Sequence, residues 1–307
     1  MKKKTLIKKT LIGKQDYKIS NFNQEWVLYH NEFSLCSRKV RVCLEELGDA
    51  YYASHIHLIE TKDCENLSKD FLKINPKATV PVLLHNNYPI YESHEQIKYI
   101  SELNPDKFGK SEIINKWYKK GSLVGDDPLT GIHEYAGNCV SILTQPLFIA
   151  MLKKINYLKF FKYILKHPSK FRSIYFLLFK VIGYAILKKN SPSQKAATKA
   201  YRFLKIHLEN LNSQLDNKKW IDGNQFSIAD ITWMVVFHRL EELQILEPLI
   251  SDLVHLNNYY ERLKERNSFK NQISNNQSNS VSIGINKLKS DLNKNKHLIA
   301  YLKLLSE

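Results

Sequence analysis

From residue 26 to residue 103, short β-rich runs alternate with segments of helical periodicity, and this order limits the possible folds more than any other feature of the chain. Trp26–His30 (Trp-Val-Leu-Tyr-His) has the composition of a buried strand. Val40, Cys43, Leu44 and Leu47 fall at helical spacing and predict a helix over 36–47, with Gly48 as its stop. Residues 51–58 alternate like a strand, and 64–74 read as a second helix. Two β-runs follow at 80–84 and 89–91, joined by the turn-forming His85-Asn86-Asn87. Ser93–Leu103 reads as a third helix, ended by Asn104-Pro105.

The order β-α-β-α-β-β-α predicts a thioredoxin-like α/β domain over 25–105. Residues 111–273 read as helix throughout and predict a second, all-α domain, which a chain of 307 residues has room for. An Asn/Ser/Gln tract at 271–282 reads as a linker, so 274–307 is expected to be a polar linker and a terminal helix carrying Ile285, Leu288, Leu292, Ile299 and Leu302. The lysine-rich start, 1–24, reads as a flexible solvated tail. Its apolar runs, Leu6-Ile7 and Leu11-Ile12, are too short for a signal peptide. The most apolar stretch, 174–187, is interrupted by Lys180 and too short to span a bilayer. Four cysteines without a CxxC pair exclude a disulfide scaffold and suit a reducing, cytoplasmic setting; no metal is expected.

Three constellations can carry chemistry. In Ser34-Leu35-Cys36-Ser37-Arg38, a thiol and two hydroxyls stand at a predicted helix start, where unpaired N–H groups and the helix dipole favour an anion. Ser34 can equally be a plain helix cap and Cys36 a half-buried filler. In the stretch ending Thr79-Val80-Pro81, a cis proline at a strand start would turn the Val80 backbone outward to pair with an extended peptide; a trans turn proline is the plain alternative. Glu92-Ser93 opens the third helix, where its N–H groups and the Ser93 hydroxyl can hold a carboxylate and Glu92 an amino group, or simply cap it.

In this order and spacing the three resemble the N-terminal domain of glutathione transferases. That resemblance implies the glutathione transferase architecture, with Val80 before cis Pro81 pairing with the cysteinyl backbone of glutathione. It assigns Glu92 and Ser93 to the γ-glutamyl end and Cys36 or Ser34 to thiol activation. In the second half, Phe226-Ser227-Ile228-Ala229-Asp230-Ile231 spells a capping box with a hydrophobic staple, and looks like the buried helix start of the transferases' helical domain. Ser34 to Ser37, the run from Phe226 through Trp233 to Tyr259-Tyr260, and His167-Pro168 with Phe171 to Tyr175 are similar to tetrachlorohydroquinone reductive dehalogenases. His238-Arg239-Leu240 and Tyr259 to Arg262 look like ganglioside-induced differentiation-associated proteins. The Ser-x-Cys-Ser pattern is similar to maleylacetoacetate isomerases, but Leu35 stands where that class has its catalytic serine.

The family implies a homodimer that conjugates glutathione to a hydrophobic electrophile, or reduces it, in detoxification. The rival implied by the differentiation-associated likeness is a non-catalytic, membrane-associated glutathione-binding protein.

The charge is uneven. The chain has 46 basic and 30 acidic residues, net +16, yet no acidic residue stands between Glu134 and Glu209, where fourteen basic ones do. Lys159, Lys162 and Lys166 form one helical stripe beside an apolar face of Leu158, Phe161, Ile164 and Leu165. That face is expected to pack the helical core, leaving the lysines solvated. The alternative is that 146–190 lie on an anionic membrane surface. No nucleic-acid-binding module is recognisable.

Overall fold

The computed structural model describes residues 11–306. Gly13–Lys14 (β1), Trp26–His30 (β2), Tyr51–His55 (β3), Val82–His85 (β4) and Tyr88–Tyr91 (β5) form one sheet in the order β1-β5-β4-β2-β3. β2 and β3 are parallel; the other pairs are antiparallel. Leu35–Leu47 (α1), Lys69–Ile74 (α2) and Ser93–Leu103 (α3) cover the sheet. Strand side chains alternate between faces. Trp26, Leu28, Leu83 and Ile90 therefore join the large core under α1 and α3, while Val27, Tyr29, Val82 and Leu84 meet Phe71 of α2 on the other face. Burial on both faces explains why β2 is apolar without alternation. This is the thioredoxin-like arrangement expected from the sequence.

Local chemistry moves several expected boundaries. The predicted helix over 64–74 is split, because Ser68 caps α2 by accepting the Phe71 N–H at 3.1 Å and leaves only a tight turn at Glu65–Leu67. The expected flexible tail, 1–24, is corrected in its second part. β1 pairs with β5, the Gln15 N–H donates to Pro89 O at 2.9 Å, and Leu11, Ile19 and Phe22 pack on the α2-side core. The remainder of that tail lies outside the described residues.

The helical half comprises Pro105–Phe108 (α4), Glu112–Gly121 (α5), Ala136–Leu143 (α6), Gln145–Leu152 (α7), Tyr157–Lys166 (α8), Lys170–Ile182 (α9), Pro192–Gln214 (α10), Ile228–Glu242 (α11), Glu247–Ile250 (α12), Val254–Glu265 (α13) and Asn267–Phe269 (α14). α11 is its axis, buried at every residue except Glu241. A buried helix needs its end groups satisfied internally, and the capping box does this. Ser227 accepts the Ala229 N–H at 3.2 Å, and Asp230 accepts from the Ser227 N–H (2.8 Å), the Ile221 N–H (3.0 Å) and the Tyr259 hydroxyl (2.8 Å). Ser227→Ala removes the cap acceptor and is expected to cost about 1–2 kcal/mol, read as a lowered urea midpoint at unchanged slope.

The expected linker and single terminal helix at 274–307 are instead two docked helices, Asn279–Leu292 (α15) and Lys296–Ser306 (α16). Val281, Leu288, Leu298 and Tyr301 are buried. Gly284 lets α15 approach α7 so closely that a Cβ there would stand 2.5 Å from Met151 Cγ.

The expectation for α8 is overturned in part. Phe160 and Tyr163 do enter the core, but Leu158, Phe161 and Leu165 are exposed and Ile164 is half-buried.

Candidate active site

The first helix start is built as a cap. Ser34 has extended backbone, φ −64° and ψ 119°, and its Oγ accepts the Ser37 N–H at 3.2 Å. The same hydroxyl makes a long 3.5 Å contact to Val80 O, so Ser34 is engaged on both sides. Cys36 is the second residue of α1, half-buried. The first turn of α1 has no acidic residue to compete with an anion.

The loop before Pro81 is held by buried side-chain amides. Asn66 donates to Ala78 O (2.9 Å), Asn75 to Thr79 O (2.8 Å), and Gln96 to both Pro81 O (3.1 Å) and Ile90 O (2.7 Å). The Val80-Pro81 bond is cis, and β4 begins at Val82, so Val80 lies outside the ladder.

Glu92 precedes α3 at φ 65° and ψ 121°, a backbone region sparsely populated outside glycine and costing on the order of 1–3 kcal/mol. Its carboxylate accepts from Lys77 Nζ at 3.2 Å, and Lys77 also reaches Asp126 at 3.2 Å. Ser93 is the buried first residue of α3.

Ser34, Cys36, Val80, Pro81, Glu92 and Ser93 all line one cleft of about 290 Å³. Its walls come from both halves of the chain. Phe33, Leu35, Leu123 and Phe148 make it largely apolar, while three basic residues, Lys77, Arg172 and Arg239, stand among three acidic ones, Glu60, Glu92 and Asp126. Lys39, one turn after Cys36, is buried, with its ammonium 3.3 Å from Ser122 Oγ. Burial pushes Lys39 down to about 8, opposed by the nearby Cys36 and Glu92. Arg239 donates to Phe33 O and stacks over the Phe33 ring at 4.3 Å, while its Nη1 has no hydrogen-bond partner. Burial pushes the other thiols up, Cys64 to about 11, Cys139 to about 12, and Cys43 further still. The arrangement is an anion-accepting polar floor at two helix starts beneath an apolar wall, with one accessible thiol between them.

The basic residues at the cleft were not picked as site residues from the sequence. Arg239 had a signal, as a charged residue inside the apolar run of α11. Lys77 had none, because Glu92 and Asp126 are distant in the chain, whereas Lys39 follows Cys36 by one turn and Arg172 stands in the basic run, with nothing local to mark either as part of the cleft. Among the described residues, no group of three or more His, Cys, Asp or Glu side chains could hold a metal ion.

Comparison with known proteins agrees with the fold and the order of the motifs. Residues 33–103 match the family described as glutathione S-transferase, N-terminal domain, and 178–275 match glutathione S-transferase, C-terminal domain. The chain is 28% identical over 248 residues to the tetrachloro-p-hydroquinone reductive dehalogenase of Sphingobium chlorophenolicum, covering 79% of this chain and 93% of that one. It is 24% identical over 255 residues to glutathione S-transferase TCHQD of Arabidopsis thaliana, covering 80% and 88%. The crystal structure of the beta-etherase LigF from Sphingobium sp. strain SYK-6 superposes with a TM-score of 0.63 at 19% identity, covering 82% of this chain and all of that one. With both halves matched in order around a shared cleft, the chain belongs to the glutathione S-transferase superfamily.

Proposed function

We propose that this protein is a glutathione-dependent enzyme that conjugates glutathione to a hydrophobic electrophile, or uses it to reduce one. The observation that carries this reading is the convergence of Ser34, Cys36, Val80, Pro81, Glu92 and Ser93 on one cleft. Glutathione would lie along it, its cysteinyl backbone at Val80, its γ-glutamyl carboxylate at the start of α3 and its sulfur at the start of α1. In conjugation the glutathione sulfur attacks the electrophilic carbon, the leaving group departs with the bonding electron pair, and the thiol proton passes to solvent. In the reductive branch, the Cys36 thiolate attacks the sulfur of the conjugate. The carbon leaves with the electron pair and takes up a proton, and a second glutathione releases the Cys36 mixed disulfide as oxidised glutathione.

Two features support that branch: the dehalogenase relative, and a Ser34 hydroxyl committed to capping while Cys36 is not. Leu35, half-buried against the core, offers no catalytic hydroxyl for the isomerase alternative. A homodimer, a detoxifying role in the cytoplasm and an apolar electrophile complete the reading.

Replacing Glu92 and Ser93 together by Ala is expected to abolish retention on immobilised glutathione while the far-UV circular dichroism stays unchanged. Retention equal to the unsubstituted chain would remove the assignment.

A further inference from the structure

α8 and α9 are joined by only three residues, 167–169, and pack on each other as a hairpin. Each has two apolar faces. The inner one is Phe160 and Tyr163 on α8 and Phe176 and Phe179 on α9, all buried. The outer one is unpartnered. On α8, Leu158, Phe161 and Leu165 stand at i, i+3 and i+7, exposed by 76%, 52% and 77%. On α9, Phe171, Ile174, Leu178 and Val181 repeat the same spacing and are also exposed. An ordinary outer helix face is polar, and single exposed apolar residues are common, but two successive apolar stripes on one hairpin mark an interaction surface.

The charge around the stripes selects the partner. Lys154, Lys162, Lys166, Lys170, Lys188 and Lys189 are exposed, and none forms an ion pair among the described residues. Within the basic segment, among the described residues, only Lys159, with Asp63 at 2.8 Å, and Arg172, with Glu60 at 3.0 Å, pair with carboxylates. Two copies meeting on this face would bring their unpaired lysines together. Nucleic acid would satisfy the lysines and leave the aliphatic stripes in water. An anionic bilayer satisfies both, taking the apolar stripes at the acyl boundary and the ammonium groups among the headgroups. Among the described residues no helix is long and apolar enough to cross a membrane, so the contact is interfacial.

We infer that the α8–α9 hairpin docks this protein on the surface of an anionic lipid bilayer. The same hairpin flanks the cleft. Arg172 lines it, and the Phe176 ring lies tilted at 5.3 Å from Phe148 of its apolar wall. Docking sets the cleft beside the lipid in which an apolar electrophile dissolves. This inference does not depend on which reaction the cleft carries out.

The test is flotation of the full chain with vesicles of phosphatidylcholine alone or mixed with phosphatidylglycerol, at about 0.15 M and about 0.5 M salt, where the Debye length falls well below 8 Å. The chain is expected to float more strongly with the anionic vesicles than with the neutral ones, and to stay partly bound at the higher salt through its buried hydrocarbon. Replacing Leu158, Phe161, Leu165 and Ile174 together by Ser is expected to lower partitioning by on the order of a hundredfold or more. Retention on immobilised glutathione, read in parallel, reports that the variant is folded and tests the catalytic reading separately. No flotation at the lower salt, complete release at the higher, or a dimer in solution that this variant dissociates would each overturn the inference.

Discussion

Cys36→Ser incubated with oxidised glutathione is expected to take up nothing, whereas the unsubstituted chain gains one glutathionyl group in its intact mass. The contrast rests on access and environment. Cys43 and Cys139 are buried, and burial pushes Cys43, Cys64 and Cys139 towards the unreactive thiol form. Cys36 lines the cleft at an acid-free helix start with Lys39 and Arg239 nearby. Glutathione-dependent reduction should then fall to background, a loss of roughly a thousandfold or more as for removal of a nucleophile. Conjugation, in which the attacking sulfur belongs to glutathione, should survive. An adduct on Cys43, Cys64 or Cys139 would sink the assignment of the nucleophile.

Glu242→Gln is expected to destabilise the fold by about 3–5 kcal/mol, the cost of leaving a buried partner uncompensated. Glu242 is 3% exposed at its side chain and grips Arg38 of α1 through two hydrogen bonds, 2.9 and 2.7 Å, while Arg239 stands 3.1 Å away. Gln keeps the shape but removes the charge, and both guanidinium groups stay buried. Against burial, which raises it, Arg38 and then Arg239 hold the Glu242 carboxyl well below its ordinary 4.5. A depressed carboxyl contributes stability that is fully present above about pH 4.5 and is lost as pH falls through its lower folded value. The unsubstituted chain should therefore lose stability on acidification more steeply than the variant. Denaturation midpoints measured between neutral pH and pH 3 check both the gap and its narrowing; parallel curves would show that Glu242 is not the group responsible.

Much of this was legible in the sequence, where the signal was local. The strand and helix order of the first half, the capping box at Ser227 and Asp230, and the chain positions that line the cleft all follow from short periodicities and from residues at helix starts. What the sequence hid depended on distant partners. Arg38 and Glu242 are 204 positions apart, and Lys77 is set against Glu92 and Asp126 only by the fold. β1 has two residues, too few for any alternation, and is defined by its pairing with β5. Periodicity marked an apolar stripe on α8 but could not tell an inward face from an outward one, and α8 has both. The Asn/Ser/Gln tract hid the first turn of α15, which starts inside it at Asn279, and the helix expected to carry Ile285, Leu288, Leu292, Ile299 and Leu302 is broken in two after Leu292.

Lys77 gives the cleft a last property. Its ammonium sits between Glu92 and Asp126, so the carboxylate at the start of α3 already has a counter-ion. If Glu92 takes a ligand ammonium as proposed, that group would trade places with Lys77 instead of neutralising a bare charge, and the displaced lysine would keep Asp126, which it already touches. The Coulomb gain is then the small difference between two similar pairs. Selection at that end of the cleft would then fall to shape and to hydrogen-bond geometry, and the Glu92 carboxylate is paired before any ligand arrives.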